Sequence, residues 1–409
     1  MNIVKIFGII FVIFTLFSTG SAFSQPERTV QDETDAYKDW LQRRGIRFEA
    51  VYTFEFWANV RGGISQSQTH IHNIDISALV DTGRFGLWND GEIFVYVLSN
   101  QGGMLLTEEI VGDTQTVSNI EAPHSTRLYE AWYEHMLLNG KLSILLGIHD
   151  FNSEFAVAEY GALFINSSFG ISKDISGDAR PSIFPLAAPA LRAKYVPSES
   201  WEFLLGFYNG DPGDPGVYRH FPRFTFNGCG GAFVDFETAH HFSRDTLPGT
   251  VKSGYWRNTG QFEDILDTDN GGEPIRHSGN QGFYLVADKM ISEKEDGRSF
   301  AGFLQLGWVP DQDINEYGAY FGGGLKYIGL IPRRNKDELG IAVAHTRLSK
   351  KLANESGRDR AETTLEMTYR AAINSHFAVQ PDVQIVMSPN ADSDLKNALV
   401  VGARLEVSF

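Results

Sequence analysis

Charged, amide and aromatic side chains recur at alternate positions along much of this chain, which would align them on one face of an extended strand. Carboxylates, amides and guanidinium groups can replace water around a hydroxyl-rich solute, and aromatic faces can contact its C–H groups. Opposed acidic and basic rows would also favour neutral solutes over ions. An alternative, that these charges only neutralise a water-filled wall, stays open. The candidate path residues are Glu55, Trp57, Glu130, Trp132, Glu134, Asp150, Asn152, Glu154, Phe155, Arg192, Lys194, Asp288, Arg370, Gln384 and Arg404.

The sequence supports a metal site or a catalytic nucleophile less well than it supports a solute path. The segment from His149 to Glu154 carries a histidine and two acids at mixed spacing, without an independent second cluster. The single cysteine, Cys229, can form neither an internal disulfide nor a thiolate metal site. No Gly-x-Ser-x-Gly elbow occurs, although an enzyme built on a barrel would not require one. We therefore predict no metal, no cofactor and no catalytic residue.

The elements that must position these side chains are strands. Residues 27 to 45 are spaced for a helix, and from Arg47 onward apolar and polar residues alternate with a period of two. In the first segment Phe48, Phe54 and Phe56 share one face, whereas Glu49 and Glu55 share the other. Sixteen strands are predicted near residues 47-60, 69-81, 92-99, 126-136, 142-150, 190-196, 201-209, 230-239, 250-258, 281-290, 299-309, 317-328, 338-347, 361-371, 376-386 and 398-409.

The connections alternate between short and long. Those at 137-141, 197-200 and 372-375 are short, and those at 100-125, 151-189, 210-229 and 259-280 are long. Outer-membrane barrels have this asymmetry, with short periplasmic turns, long outer loops and an even number of strands. The sequence therefore predicts an all-β fold, a transmembrane antiparallel up-and-down β-barrel of about 16 strands with a short N-terminal periplasmic helix.

Both ends of the chain indicate export to a bacterial outer membrane. Lys5 precedes an apolar run and then small residues, which is typical of a signal peptide cleaved after Ala22 or Ser24. We predict a signal peptide at 1-22, a periplasmic segment at 23-46 and a barrel at 47-409. The terminal Phe409 ends an alternating strand and resembles the signal that the outer-membrane assembly machinery reads. The predicted location is the outer membrane of a Gram-negative bacterium, in contact with its lipids and lipopolysaccharide.

The formal net charge of -16 disfavours nucleic acid as a partner. Aromatic residues form 13% of the chain, a share compatible with barrel girdles but also with a soluble exported protein. The alternating pattern therefore decides the fold class, and the composition does not.

Several segments match, in order, those of a known family. They include Trp40 to Ile46, Leu128 to Glu134, Asp150 to Phe155, Phe164 to Gly170, Tyr208 to Pro212 and Gln380 to Gln384. By these segments the chain resembles the carbohydrate-selective porins of the OprB type. The 210-229 loop and the acidic stretch from Glu263 to Glu273 look local to this chain, which leaves substrate preference open.

This resemblance implies passive, selective diffusion of mono- or oligosaccharides into the periplasm. The alternatives are a general diffusion porin without sugar selectivity and, less favoured, a barrel enzyme. In the resembling family a long outer loop folds inward and narrows the pore, and the 151-189 connection is the candidate here. The family also favours a monomer, with a trimer as the alternative.

Overall fold

The protein, described by a computed structural model at residues 30–224, 230–242, 247–355 and 358–409, consists mainly of strands. The predicted signal peptide at 1–22 and Cys229 lie outside the described residues. Within them, sixteen antiparallel strands close into one barrel. The strands are β1 (Ile46–Arg61), β2 (Gln68–Asp81), β3 (Gly91–Gly102), β4 (Ser125–Leu137), β5 (Leu142–His149), β6 (Ala188–Ser198), β7 (Trp201–Asn209), β8 (Ala232–Phe242), β9 (Gly249–Thr268), β10 (Pro274–Glu293), β11 (Ser299–Trp308), β12 (Tyr317–Ile328), β13 (Glu338–Leu348), β14 (Ala361–Ala372), β15 (Phe377–Met387) and β16 (Ala398–Ser408).

The barrel closes between the first and last strands, as the sequence predicts. Glu55 lies opposite Arg404, and Thr53 lies opposite Glu406. The backbone N–H of Phe409 donates to the Ala50 carbonyl at 2.8 Å, which extends this pairing to the last residue. Closure satisfies edge amides and carbonyls that a lipid environment could not hydrogen bond.

Alternation along each strand separates an outer apolar face from an inner polar one. Phe56 is 43% exposed and Leu146 is 64% exposed on the outer surface, whereas Glu55 between its neighbours is fully buried inside. A β-bulge interrupts this parity in β4, where Tyr96 pairs with Glu130 and Val97 with Leu128. The extra residue, Tyr129, is consequently buried inside the barrel beside Glu130.

The β9–β10 hairpin is much longer than predicted. The sequence indicates an outer connection at 259–280, but the ladder continues until Pro274 pairs with Thr268. Its inner face remains covered by protein at this height, because Arg180 lies over the Phe262 ring at 4.4 Å. Before β1, helix α1 (Val30–Arg43) confirms the helix predicted at 27–45. Among the described residues, no helix combines the length and apolar composition required to cross a bilayer.

Two connections at the end of the barrel opposite the chain termini fold into the lumen. We call residues 103–124, between β3 and β4, the first inward loop, and residues 150–187, between β5 and β6, the second inward loop. The second includes the short helix α2 (Lys173–Asp178) and the first a single π-helical turn (Leu106–Val111). The sequence predicted inward folding for the 151–189 connection but not for the first inward loop.

Each inward loop has its own apolar core against the inner wall. In the second loop, Phe151 stacks on Phe155 at a centroid distance of 5.0 Å, and Phe164 packs on Phe303 of β11 at 5.7 Å. In the first loop, buried Leu106 and Ile110 belong to one cluster with Trp57, Val386 and Val400 of the wall. Each such side chain contributes about 1.5–3 kcal/mol when fully buried. Both loops thereby pack against the inner wall of the barrel.

Candidate functional site

Carboxylates on the inner wall hold the second inward loop by its backbone. The Glu366 carboxylate of β14 accepts hydrogen bonds from the backbone N–H groups of Ile165 at 2.7 Å and Asn166 at 2.9 Å. Asp288 of β10 accepts from the N–H groups of Glu159 at 3.2 Å and Tyr160 at 3.0 Å. Because these N–H groups are covered by protein, a loop displaced from the two carboxyl groups would leave them without acceptors, which is costly.

The same arrangement holds the first inward loop. The Glu362 carboxylate accepts from the backbone N–H groups of Thr114 and Gln115, each at 2.8 Å. The Gln384 amide donates to the Val117 carbonyl at 2.9 Å and accepts from the Asn166 side chain at 3.0 Å. Gln384 therefore joins both loops to β15.

Glu55 forms a further anchor at the seam where β1 meets β16. Its carboxylate accepts from Arg404 Nε at 2.6 Å, from Trp57 Nε1 at 2.7 Å and from Ser118 Oγ at 2.6 Å. Arg404 also donates to the Asn119 side-chain oxygen at 2.5 Å. The ion pair thus ties the closing strand to the first inward loop.

Arg192 of β6 forms the corresponding centre under the second loop. Its guanidinium donates to both Glu154 oxygens, at 2.5 and 2.9 Å, and to Glu134 at 2.9 Å. A further bond reaches Ser143 Oγ at 2.6 Å. The bidentate pair to Glu154 fixes the start of the loop against the wall.

One cavity of about 590 Å³ remains between the two loops and the wall. Strands β1, β2 and β16 contribute polar groups to it, including Thr53, Asn73, Asp75, Arg404 and Glu406. The second loop contributes the apolar patch of Ile171, Ile183, Phe184 and Pro185, as well as Asp150 and Asn152. A second cavity of about 530 Å³ lies on the outer surface among apolar side chains such as Leu146 and Phe207, away from the lumen.

The cavity acids have partners but keep free lone pairs. Asp75 accepts from Tyr96 Oη at 2.6 Å and from the Asn73 amide at 2.8 Å. Asp150 accepts from Tyr129 Oη at 2.6 Å and from the Asn152 N–H at 2.8 Å. An ionised carboxylate has about four acceptor sites, so each can still bind a solute hydroxyl.

The two acids that the inward loops contribute to the cavity lining have raised pKa values. Burial raises the pKa of Asp150 to about 6, against the lowering effect of its bond from Tyr129. Burial, reinforced by the nearby Asp113, raises the pKa of Glu121 to about 8. Desolvation disfavours the ionised form of a carboxyl group, so Glu121 is mostly neutral at pH 7.

A protein-family model matches most of this chain. Residues 65–409 match the model of the carbohydrate-selective porin family, OprB. The chain belongs to this family. It is an outer-membrane carbohydrate diffusion channel of a Gram-negative bacterium, and its family and fold are those of a channel rather than an enzyme.

Individual relatives agree with this assignment. The porin is 24% identical over 433 residues to Porin B of Pseudomonas aeruginosa, covering 95% of this chain and 93% of that protein. The high-pH structure of Pseudomonas putida OprB superposes with a TM-score of 0.82 at 22% identity, over 95% of this chain and all of that one. The outer membrane channel DcaP of Acinetobacter baumannii is more distant, with a TM-score of 0.52 at 7% identity over 89% and 97% of the two chains. These structural likenesses show the shared barrel fold.

The predicted path residues of the porin fall into three groups. Asp150, Asn152 and Arg404 line the cavity. Trp132, Lys194 and Arg370 are half-buried and lie outside it, with Arg370 donating to Glu406 at 2.8 Å. The remaining residues are covered by the inward loops or paired with them. They are Glu55, Trp57, Glu130, Glu134, Glu154, Phe155, Arg192, Asp288 and Gln384.

The cavity of the porin also contains residues that were not among the predicted candidates. Tyr96, Asn119, Glu121, Lys173 and Phe184 all line it. Tyr96 is one of the alternate residues of β3 that face the lumen, so the apolar–polar alternation of that strand could have identified it. The others lie in loops, where the sequence has no period to show which side chains face the lumen. Within the described residues, no group of three or more histidine, cysteine or acidic side chains is placed to hold a metal ion.

Proposed function

We propose that the porin admits mono- or oligosaccharides through the cavity between its inward loops, and that this cavity is a sugar subsite. The observation that supports the proposal is the combination of polar strand residues with an apolar loop patch around one space of about 590 Å³. Small-molecule sites in proteins commonly enclose roughly 300–1,000 Å³. A pyranose ring presents hydroxyl groups at its edge and C–H groups on its faces, so it matches both kinds of wall.

Passage requires that the subsite replace water around the sugar without binding it tightly. Asp75, Asp150 and Asn152 offer hydrogen-bond partners, while Phe184 and Ile183 offer apolar contact. Each acid already has at least two internal donors, and one further bond from a sugar hydroxyl to a charged group adds only about 1.5–3 kcal/mol. Such weak contacts permit entry and release.

The covered candidates have a different role in this proposal. Glu55, Arg192, Asp288 and Gln384 hold the loops and so set the shape of the subsite, while Asp150, Asn152 and Arg404 contact the solute. We further propose that residues 1–22 are removed on export, that 47–409 form the working barrel, and that the porin functions as a monomer among lipopolysaccharide and lipid. A trimer remains the alternative that a mass measurement in detergent would distinguish.

A general diffusion porin is the second candidate, because the lumen also carries paired charges that could serve any small polar solute. The apolar patch of Ile171, Ile183 and Phe184 favours the sugar channel, since an unselective polar pore has no need of it. Swelling of proteoliposomes separates the two. We expect faster swelling in isotonic D-glucose than in a neutral zwitterion of similar size. Equal rates for both solutes would support the general porin.

A further inference from the structure

Lys173 occupies an unusual position in the cavity. It begins helix α2 in the second inward loop, is half-buried and lines the cavity. Among the described residues, no carboxylate oxygen lies within 4.0 Å of its Nζ, and no hydrogen-bond acceptor pairs with it. Its Nζ lies over the Tyr317 ring, 5.1 Å from the centroid.

The other cation of the cavity is already engaged. Arg404 donates to Glu55 and to Asn119, so part of its guanidinium is already satisfied by the wall and the first inward loop. The cavity acids likewise have internal donors, such as Tyr96 for Asp75 and Tyr129 for Asp150. An ammonium group carries three donors and no acceptor, so Lys173 retains donors that only water or a solute can satisfy.

We propose that Lys173 is a specificity-determining residue of the porin, and that its ammonium group donates hydrogen bonds to hydroxyl oxygens of a neutral sugar in the cavity. This inference rests on the proposed sugar subsite and deepens it. A cation–π contact with Tyr317 holds the side chain in place without consuming its N–H groups.

The charges around Lys173 favour a neutral solute over an acidic one. Asp113, Asp178, Glu316 and Glu362 act on its charge from more distant positions; burial lowers the pKa of Lys173, and these acids oppose that effect. The cavity itself includes Asp75, Asp150 and Glu406 in its lining. A sugar carboxylate would meet this acidic surface, whereas a hydroxyl can accept from Lys173 and donate to the acids.

The test measures the block of single-channel ion current by D-glucose in planar bilayers. Loss of a hydrogen bond from a charged donor typically weakens binding by roughly tenfold or more. Lys173→Met should therefore raise the glucose concentration for half-block by about that factor, while Lys173→Arg, which keeps charge and donors, should stay within about threefold of the parent. Lys326→Met is the matched control, because Lys326 is paired with Glu338 at 2.6 Å and lies outside the cavity.

Each outcome decides the inference. A tenfold rise of the half-block concentration that occurs in Lys173→Met and not in the other variants supports the inference. An unchanged half-block concentration in Lys173→Met overturns it. An equal rise of the half-block concentration in Lys326→Met would show a general effect of lost charge and would also overturn the inference. If D-glucuronate blocks the parent far more tightly than D-glucose and loses that advantage in Lys173→Met, the neutral-sugar assignment is wrong. If no sugar blocks the parent, the proposed subsite fails together with this inference.

Discussion

Removing the Glu366 carboxylate should release the second inward loop from β14. Glu366 accepts buried backbone hydrogen bonds from Ile165 and Asn166 at 2.7 and 2.9 Å. A buried N–H group left without its acceptor costs about 1–3 kcal/mol, so the loss of both bonds in Glu366→Ala should cost this segment about 3 kcal/mol. Since 1.4 kcal/mol corresponds to a factor of ten, local opening should become roughly 100-fold more frequent.

Amide hydrogen exchange followed by mass spectrometry measures this opening directly. Exchange at Ile165 and Asn166 should accelerate about 100-fold in Glu366→Ala, and the ion current should become noisier as the loop moves. Glu338→Ala is the control, because Glu338 pairs with Lys326 and accepts no loop amide among the described contacts. Unchanged protection of both amides in Glu366→Ala would refute the idea that wall carboxylates position the loop.

Three further predictions follow from the same geometry. Because burial raises the pKa of Glu121 to about 8, this group is neutral below that pH and ionises above it. Cation selectivity, measured by reversal potential, should therefore increase as the pH rises through about 8. Glu121→Gln should abolish this increase. Arg192→Ala leaves Glu134 and Glu154 without their shared cation, and should lower the free energy of unfolding by about 3–5 kcal/mol in denaturant titrations; a loss below about 1 kcal/mol would contradict this. Phe184→Ala should weaken glucose block about fivefold, on the scale of about 1 kcal/mol for an aromatic contact, and an unchanged half-block concentration would contradict a contact between Phe184 and the sugar.

The barrel could be predicted from the sequence because alternation is a local property. A strand such as β1 shows its two faces in its own residues, and the parity that placed Glu55 inside also placed Arg404 opposite it. The β9–β10 hairpin is longer than the usual transmembrane span, and its strand pairing continues through the connection that the sequence predicted. Protein covers its inner face there, as at Phe262. The bulge at Tyr129 was missed because one extra residue shifts the inward parity without changing composition.

The site was less accessible from the sequence, since inward parity does not distinguish an open lumen from a wall covered by a loop. Phe155 and Arg192 have the residue types of a sugar path, yet they pack against or pair with the second inward loop and its wall. Lys173 and Phe184 line the cavity through the course of a loop that has no repeating pattern. The course of this loop depends on distant acceptors such as Glu366, which lies 201 residues after the Ile165 N–H group that it accepts from.

The current through one reconstituted channel during titration with D-glucose tests the sugar subsite most directly. We predict a saturable fall in current at constant salt and viscosity, reversed when the sugar is washed out. Asp75→Ala should shift the half-block concentration upward without closing the channel, because Asp75 lies in the cavity wall and its internal partners, Asn73 and Tyr96, remain. A current that glucose does not reduce, in a channel that conducts ions normally, would contradict the account.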